Sequence, residues 1–154
     1  MKYIIDRLNT QHLALPNIIA HLSDLHLHLS PSPGKWNIKD NIAHLARYQT
    51  VFLKRMHLII TMDNPSFDPY KAEEDGEFPL WQSRDLLELQ NALNADRVLI
   101  TEFMTSLPTN DWQRTGVHSK YGMLRVIDWT EFFLLHEADH LFTIFQLAHN
   151  RESK

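Results

Sequence analysis

The stretch Trp129-Thr130-Glu131-Phe132-Phe133-Leu134-Leu135-His136-Glu137-Ala138-Asp139-His140-Leu141-Phe142 decides how this chain is read. No Gly or Pro interrupts it, and its apolar residues recur at helical spacing. Residues four apart are displaced by about 40° around a helix, so His136 and His140 leave one face, a turn apart. Trp129, Phe132, Phe133, Thr143 and Leu147 fall within roughly 60° of His136, which turns the pair toward a bundle interior. Unpaired imidazoles are costly there, and a metal ion shared by two nitrogens of one helix satisfies both.

The run His136-Glu137-Ala138-Asp139-His140 also matches H-E-x-x-H, the zinc-protease pattern in which the Glu is the general base. The extension found in one such class is missing, because Thr143 and Gln146 stand where a Gly and a third His belong. Only fourteen residues follow His140, and His149 is too far along for that spacing. Any third ligand therefore comes from upstream, and His44 is the best candidate. Glu137 lies about 100° from His136. It is read either as a solvated charge or as the candidate catalytic group, in the role of general acid–base. Asp139 is either a surface charge or a partner that orients a ligand His.

Working outward, four helical segments read out. The first spans about Ile4 to Leu29, with a seam of Ile5, Leu8, His12, Leu15, Ile19, Leu22, His26 and Leu29. Pro16 should kink or divide it, and Pro31-Ser32-Pro33-Gly34 ends it. His12 and His26 are read as core residues of that seam, and His21 and His28 as surface residues. Asn37 caps the second helix with Asp40 at N3, and Asp63-Asn64-Pro65 closes it. Its apolar side is Ile38, Ile42, Leu45, Phe52, Met56 and Ile59, with His44 at the border. Ser66 to Gln82 reads as a long acidic loop that covers one bundle end, in which Glu73-Glu74-Asp75 is a solvated run. The third helix starts near Ser83 and ends before Pro108, with Leu86, Leu89, Leu93, Ile100, Phe103 and Leu107 inside. Thr115 to Gly122 is either a hairpin or a plain loop. The fourth helix runs from about Met123 to His149 and lacks a good N-cap at Arg125. Trp36, Trp81 and Trp129 are read as core or loop anchors.

Composition bounds the rest. A chain of 154 residues, 44% hydrophobic and 22% charged, fits one domain, residues 1–154, with a substantial core. Net charge is −4 with no basic run, so nucleic acid has no electrostatic footprint here. The chain has no cysteine, which removes disulfides, thiolate metal sites and Cys nucleophiles. Charge appears too early in Met1–Arg7 for a signal sequence, and no apolar run approaches the roughly 18 residues of a membrane span. The expectation is a cytoplasmic, membrane-free protein, rich in histidine with ten such residues.

Gly34-Lys35-Trp36-Asn37-Ile38-Lys39-Asp40-Asn41-Ile42-Ala43-His44-Leu45 resembles the second-helix signature of the DinB/YfiT-like superfamily. The pair His136 and His140 resembles the two histidines of that family's fourth helix. Between them, Phe52…Arg55, Asp68-Pro69-Tyr70, Leu107…Asp111-Trp112-Gln113-Arg114-Thr115 and Gly122 follow in the family's order, so the likeness spans nearly the whole chain. The resemblance implies an all-α four-helix bundle in which His44, His136 and His140 bind a divalent metal, nickel or zinc, with open positions for water. It also implies an enzyme acting on a small-molecule substrate. Relatives include transferases that use low-molecular-weight thiols such as bacillithiol or mycothiol, and a maleylpyruvate isomerase. One position departs: Tyr48 stands four after the first His, where the family often has an acid, and this leaves the substrate class open. The expected function is a thiol-dependent transferase or a hydrolase, acting as a homodimer. The alternative is a non-catalytic bundle that binds a metal or a ligand.

Overall fold

A computed structural model describes residues 1–149 of the chain; the last five residues of the expected domain, 150–154, lie outside the described residues. Its elements are α1 (Lys2–Thr10), α2 (Ala14–Ile19), α3 (Asp24–His28), α4 (Ile38–Thr61), β1 (Ser66–Phe67), α5 (Phe78–Gln82), α6 (Leu86–Ser106), β2 (Thr115–His118), β3 (Gly122–Arg125) and α7 (Val126–His149). Single 3-10 turns lie at Gln11–Leu13, Ala72–Glu74 and Thr109–Gln113. Four helical columns pack together: α1 with α2, then α4, α6 and α7, with α4 against both α6 and α7 and α1 against the same two.

Local chemistry fixes the long helices. Asn37 accepts from the Asp40 N–H at 2.8 Å while the Asp40 carboxylate accepts from the Asn37 N–H, so α4 begins with a reciprocal capping box. The third bundle helix begins later than Ser83 suggests. Asp85 is its N-cap and pairs with Glu88 in a second capping box, while Ser83 ends α5. At the start of α7, Asp128 accepts from the Arg125 N–H at 3.1 Å and so replaces the missing N-cap side chain.

The first column is not one kinked helix. Pro16 falls in the first turn of α2, where its missing N–H is not needed, and the chain breaks instead after Ile19. Ser23 then caps α3 by accepting from the His26 N–H. The seam holds through Leu8, His12, Leu15 and Ile19, all buried, and fails at His26 and Leu29, which are exposed while Leu27 is buried.

The expectation of an all-α fold is corrected by a three-stranded sheet in the order β1-β2-β3. β2 and β3 form an antiparallel hairpin pairing Thr115 with Arg125 and His118 with Gly122. β1 joins β2 in parallel, Ser66 opposite Val117. The hairpin sits tightly on α4: a Cβ at Gly116 would lie 2.8 Å from the Ile59 side chain. Nor is Ser66 to Gln82 a plain loop. Ala72, Phe78 and Trp81 are buried, and Asp75 accepts from Arg47 at 2.7 Å and from the Tyr70 hydroxyl at 2.9 Å, so it is not a solvated charge.

The core has two apolar clusters. One holds Leu15, Ile19, Ile42, Leu45, Leu89, Leu93, Leu141 and Ile144. The other holds Ile4, Leu8, Phe52, Met56, Ile100, Met104, Trp129 and Phe133. On every column a polar residue is buried where the two clusters meet: His12, Gln49, Arg97 and Glu137, with buried His44 lying among the residues of the first cluster on α4. The bundle therefore has a polar waist, and the candidate site lies in it. Among the described residues no helix is long and apolar enough to cross a membrane.

Candidate metal centre

At the waist α4 delivers His44, and α7 delivers His136 and His140 from successive turns of one face. One ring nitrogen from each lies within 4.8 Å of the other two. The Nε2 atoms of His44 and His136 stand 3.0 Å apart. The Nδ1 atoms of these two rings are buried and have no hydrogen-bond partner. The helix geometry read from His136 and His140 brings the pair together, and the bundle adds His44.

The third ring is held differently. His140 Nδ1 lies 2.9 Å from Asn41 Oδ1, and the Asn41 amide nitrogen donates to the Asn37 carbonyl at 2.8 Å. A carbonyl cannot donate, so the NH2 group must face Asn37 and Oδ1 must face the ring. His140 therefore carries its proton on Nδ1, and its Nε2 lone pair is free. Asn41, and not Asp139, orients His140; of the two readings of Asp139 the surface charge holds, since the residue is exposed. Asn41 lies one helical turn before His44, and a buried Asn inside an apolar stripe is the signal that could have found it.

Aromatic rings enclose the cluster. Trp36 packs on His44 at 5.0 Å and on His140 at 6.2 Å between ring centres, so it is a wall of the site rather than a loop anchor. Tyr48 stacks on His44 at 6.0 Å and leans on His136 at 4.5 Å, and Tyr70 lies 5.5 Å from His44. Trp81 and Trp129 are core residues as read. Burial in this apolar shell, helped by the neighbouring imidazoles, lowers His44 from 6.5 to about 2 and His136 to about 3. Burial lowers His140 as well. All three rings are therefore neutral near pH 7, the form that binds metals. Burial raises the Tyr48 hydroxyl, which keeps its proton.

These residues fit a divalent ion. Ligand nitrogens of a tetrahedral zinc ion stand about 3.3 Å apart, given bonds near 2.0–2.1 Å. The observed spread of 3.0 to 4.8 Å brackets that spacing. Imidazole donors suit zinc and nickel, among other ions.

Glu137 belongs to the other half of the waist. It is 1% exposed, and its carboxylate is paired with the Arg97 guanidinium, which is equally buried. Gln11 donates to the same carboxylate at 3.0 Å. Arg97 further donates to Gln49 at 3.0 Å and to the Leu8 carbonyl at 3.1 Å, with His12 Nδ1 at 3.3 Å. The solvated reading of Glu137 is corrected. The residue turns toward α1 and α6, about 100° around α7 from the histidines. Arg97 escaped the sequence reading although it falls in the stripe Leu93, Arg97, Ile100. His12 is a buried residue of this network, and His21 and His28 are exposed as read.

A cavity of about 140 Å³ reaches His136 and is lined also by Tyr48, Arg55, Tyr70, His118 and Lys120. His118 is buried, and its Nδ1 accepts from the Lys120 N–H at 3.0 Å. Burial and the nearby Arg55 and Lys120 lower its pKa, so it is a neutral ring with its proton on Nε2. Nothing in the local sequence pattern marked His118; the hairpin brings it to the site.

The comparisons with known proteins agree with this architecture. The family model of the DinB superfamily matches residues 7–144. The chain is 26% identical over 143 residues to the Oceanobacillus iheyensis protein named "Putative metal-dependent hydrolase OB0782", an alignment covering 90% of this chain and 80% of that protein. The solved structure of YfiT from Bacillus subtilis, described as "a probable metal-dependent hydrolase with an unusual four-helix bundle topology", matches with a TM-score of 0.80. That match covers 96% of this chain and 85% of YfiT at 18% identity, which makes it a likeness of fold. With the family model spanning all four helical columns, the chain belongs to the DinB superfamily.

Proposed function

We propose that this protein is a metal-dependent hydrolase of small molecules, with His44, His136 and His140 as the ligands of a zinc or nickel ion. The observation that carries the reading is the convergence of three neutral imidazoles, one buried and two half-buried, within 4.8 Å, beside a cavity that reaches one of them. The name of the Oceanobacillus iheyensis relative supports it. When bound, such an ion supplies Lewis acidity: three neutral ligands leave it a full +2 charge with which to activate a water or a thiol.

The chain's own residues do the rest. Trp36, Tyr48 and Tyr70 shield the rings from bulk water, which keeps them in the neutral form. Asn41 fixes the tautomer of His140. Tyr48 stays protonated at the cavity wall and is the donor offered to a departing or developing oxyanion. No Asp or Glu lines this small cavity; its neutral proton-bearing side chains include Tyr48, Tyr70, Tyr121 and His118. Transfer to a low-molecular-weight thiol cosubstrate is the related reaction the same centre would serve. The reading extends to one domain working as a cytoplasmic homodimer.

The test is metal analysis of protein purified without an affinity tag, together with ester hydrolysis assayed with and without added thiol. Wild type should carry stoichiometric zinc or nickel, and the His44→Ala, His136→Ala double variant should carry none. Stoichiometric metal in that double variant would refute the ligand assignment. Thiol-dependent turnover with no hydrolysis would move the reaction to the transferases.

A further inference from the structure

Two cavities flank the middle of α4. The larger, about 600 Å³, runs between α4 and residues 66–75 and touches none of the three histidines. The smaller reaches His136, and the two share Arg55, Pro69 and Tyr70. Arg55 therefore stands where an outer groove meets the inner chamber.

Its guanidinium is unusual in this chain. Nη2 donates to the Asp68 carbonyl at 2.6 Å, but Nη1 is buried and has no hydrogen-bond partner. Among the described residues Arg7, Arg47, Arg97, Arg114 and Arg125 each face a carboxylate within 4.0 Å, whereas Arg55 and Arg84 face none, and of these two only Arg55 lines the chamber. A buried, charged N–H without an acceptor is costly, and a ligand oxyanion removes that cost. The group is also held in place: it lies 5.5 Å from the Phe67 ring centre and 5.8 Å from that of Trp129. Lys120 adds a second cation to the inner chamber, whose lining contains no carboxylate. The acids Asp68, Glu74 and Asp75 line the outer groove instead. In a chain of net charge −4, the chamber beside His136 is locally cationic.

We propose that Arg55 is the anchor for a substrate oxyanion, a carboxylate or a phosphate, accepted on Nη1 while the reacting bond lies toward His136. This assignment rests on the reading of the three histidines as the reactive centre. It gives the substrate class as small anionic molecules, and it makes Arg55 a specificity-determining residue.

The test is titration of the protein with sodium acetate and with inorganic phosphate at constant ionic strength, read by tryptophan fluorescence. Saturable binding of at least one is expected in wild type. Arg55→Met should weaken it by about tenfold or more, with Arg55→Lys in between. His140→Ala, expected to lose the metal and its charge, should still bind the anion saturably, though more weakly than wild type. The better binder of acetate and phosphate identifies the oxyanion. A parallel measurement on unmutated protein covers the case in which Arg55→Met does not fold: either anion should slow modification of Arg55 by phenylglyoxal, read by mass spectrometry, while Arg84 is unaffected. Absence of binding, equal binding in Arg55→Met, or absence of protection would overturn the proposal. Binding lost in His140→Ala but kept in Arg55→Met would put the anion on the metal, overturning the role of Arg55 while leaving the three-His reading intact. Failure of the three-His reading itself would show separately, as metal retained in the His44→Ala, His136→Ala variant.

Discussion

Acid should unfold the metal-free protein far above the pH at which its carboxylates titrate, and the waist histidines set the size of the effect. Burial takes His44 to about 2 and His136 to about 3. Burial and the adjacent Arg97 guanidinium take His12 to about 4. In the unfolded chain each returns to about 6.5. Below that value the unfolded state binds protons that the folded state refuses, so stability falls as pH falls, from 6.5 down to the folded values. At pH 5 each such group costs about 2 kcal/mol, so the three together cost about 6 kcal/mol. That is comparable to the whole stability of a typical domain, about 5–15 kcal/mol. Burial also lowers His140 and adds in the same direction. Asp96, raised by burial, works in the opposite sense and offsets a part. The assay is urea unfolding followed by circular dichroism, with a chelator present, across pH 7 to 5. Between pH 6 and 5 the three histidines should remove about 3–4 kcal/mol of unfolding free energy. His12→Asn should flatten that dependence by about one proton. A loss below about 1 kcal/mol over the same interval would refute the burial argument, because the rings would then be titrating almost as they do in water.

Four further outcomes follow from particular contacts. With chelator at neutral pH and room temperature the protein should keep its helical circular dichroism, and His140→Ala should fold but lose the metal, because two apolar clusters carry the bundle; cooperative unfolding on chelation would contradict this. Asn41→Ala should weaken metal binding about 10- to 100-fold, measured by competition with a chromophoric chelator, since it frees His140 to rotate and change tautomer. Arg97→Met should destabilise the fold by about 3–5 kcal/mol in urea titration by leaving Glu137 buried and unpaired, and Glu137→Leu added to it should recover most of the loss. Gly116→Ala should cost about 1–3 kcal/mol in the same assay because its methyl group would press on Ile59.

What local chemistry governs was legible in the order of residues alone. Asn37 and Asp40 are three apart and cap α4 by reaching only across a turn. His136 and His140 share a face because a helix repeats at that interval, and the apolar stripes of α4, α6 and α7 predict which sides are buried. The resemblance of Gly34 to Leu45 to a known helix added His44. Where the first column breaks was not legible, because its apolar spacing continues past Ile19 while only packing decides that Leu27, not His26, turns inward. The two-residue strand β1 is too short to show a period, and its partner Val117 lies some fifty positions away. Glu137 was open between solvent and catalysis until α6 brought Arg97 beside it, forty residues distant in sequence. The same holds for Asn41 with His140, and for Arg55 and His118 meeting at one cavity. Sequence by itself determined the three long helices α4, α6 and α7 to within a few residues and the shared face of His136 and His140, since those depend on backbone bonds and side-chain periodicity within a few turns. Only the tertiary structure decided the polar waist, the orientation of His140 and the cationic chamber, because each is made by side chains that approach one another only after the four columns have packed.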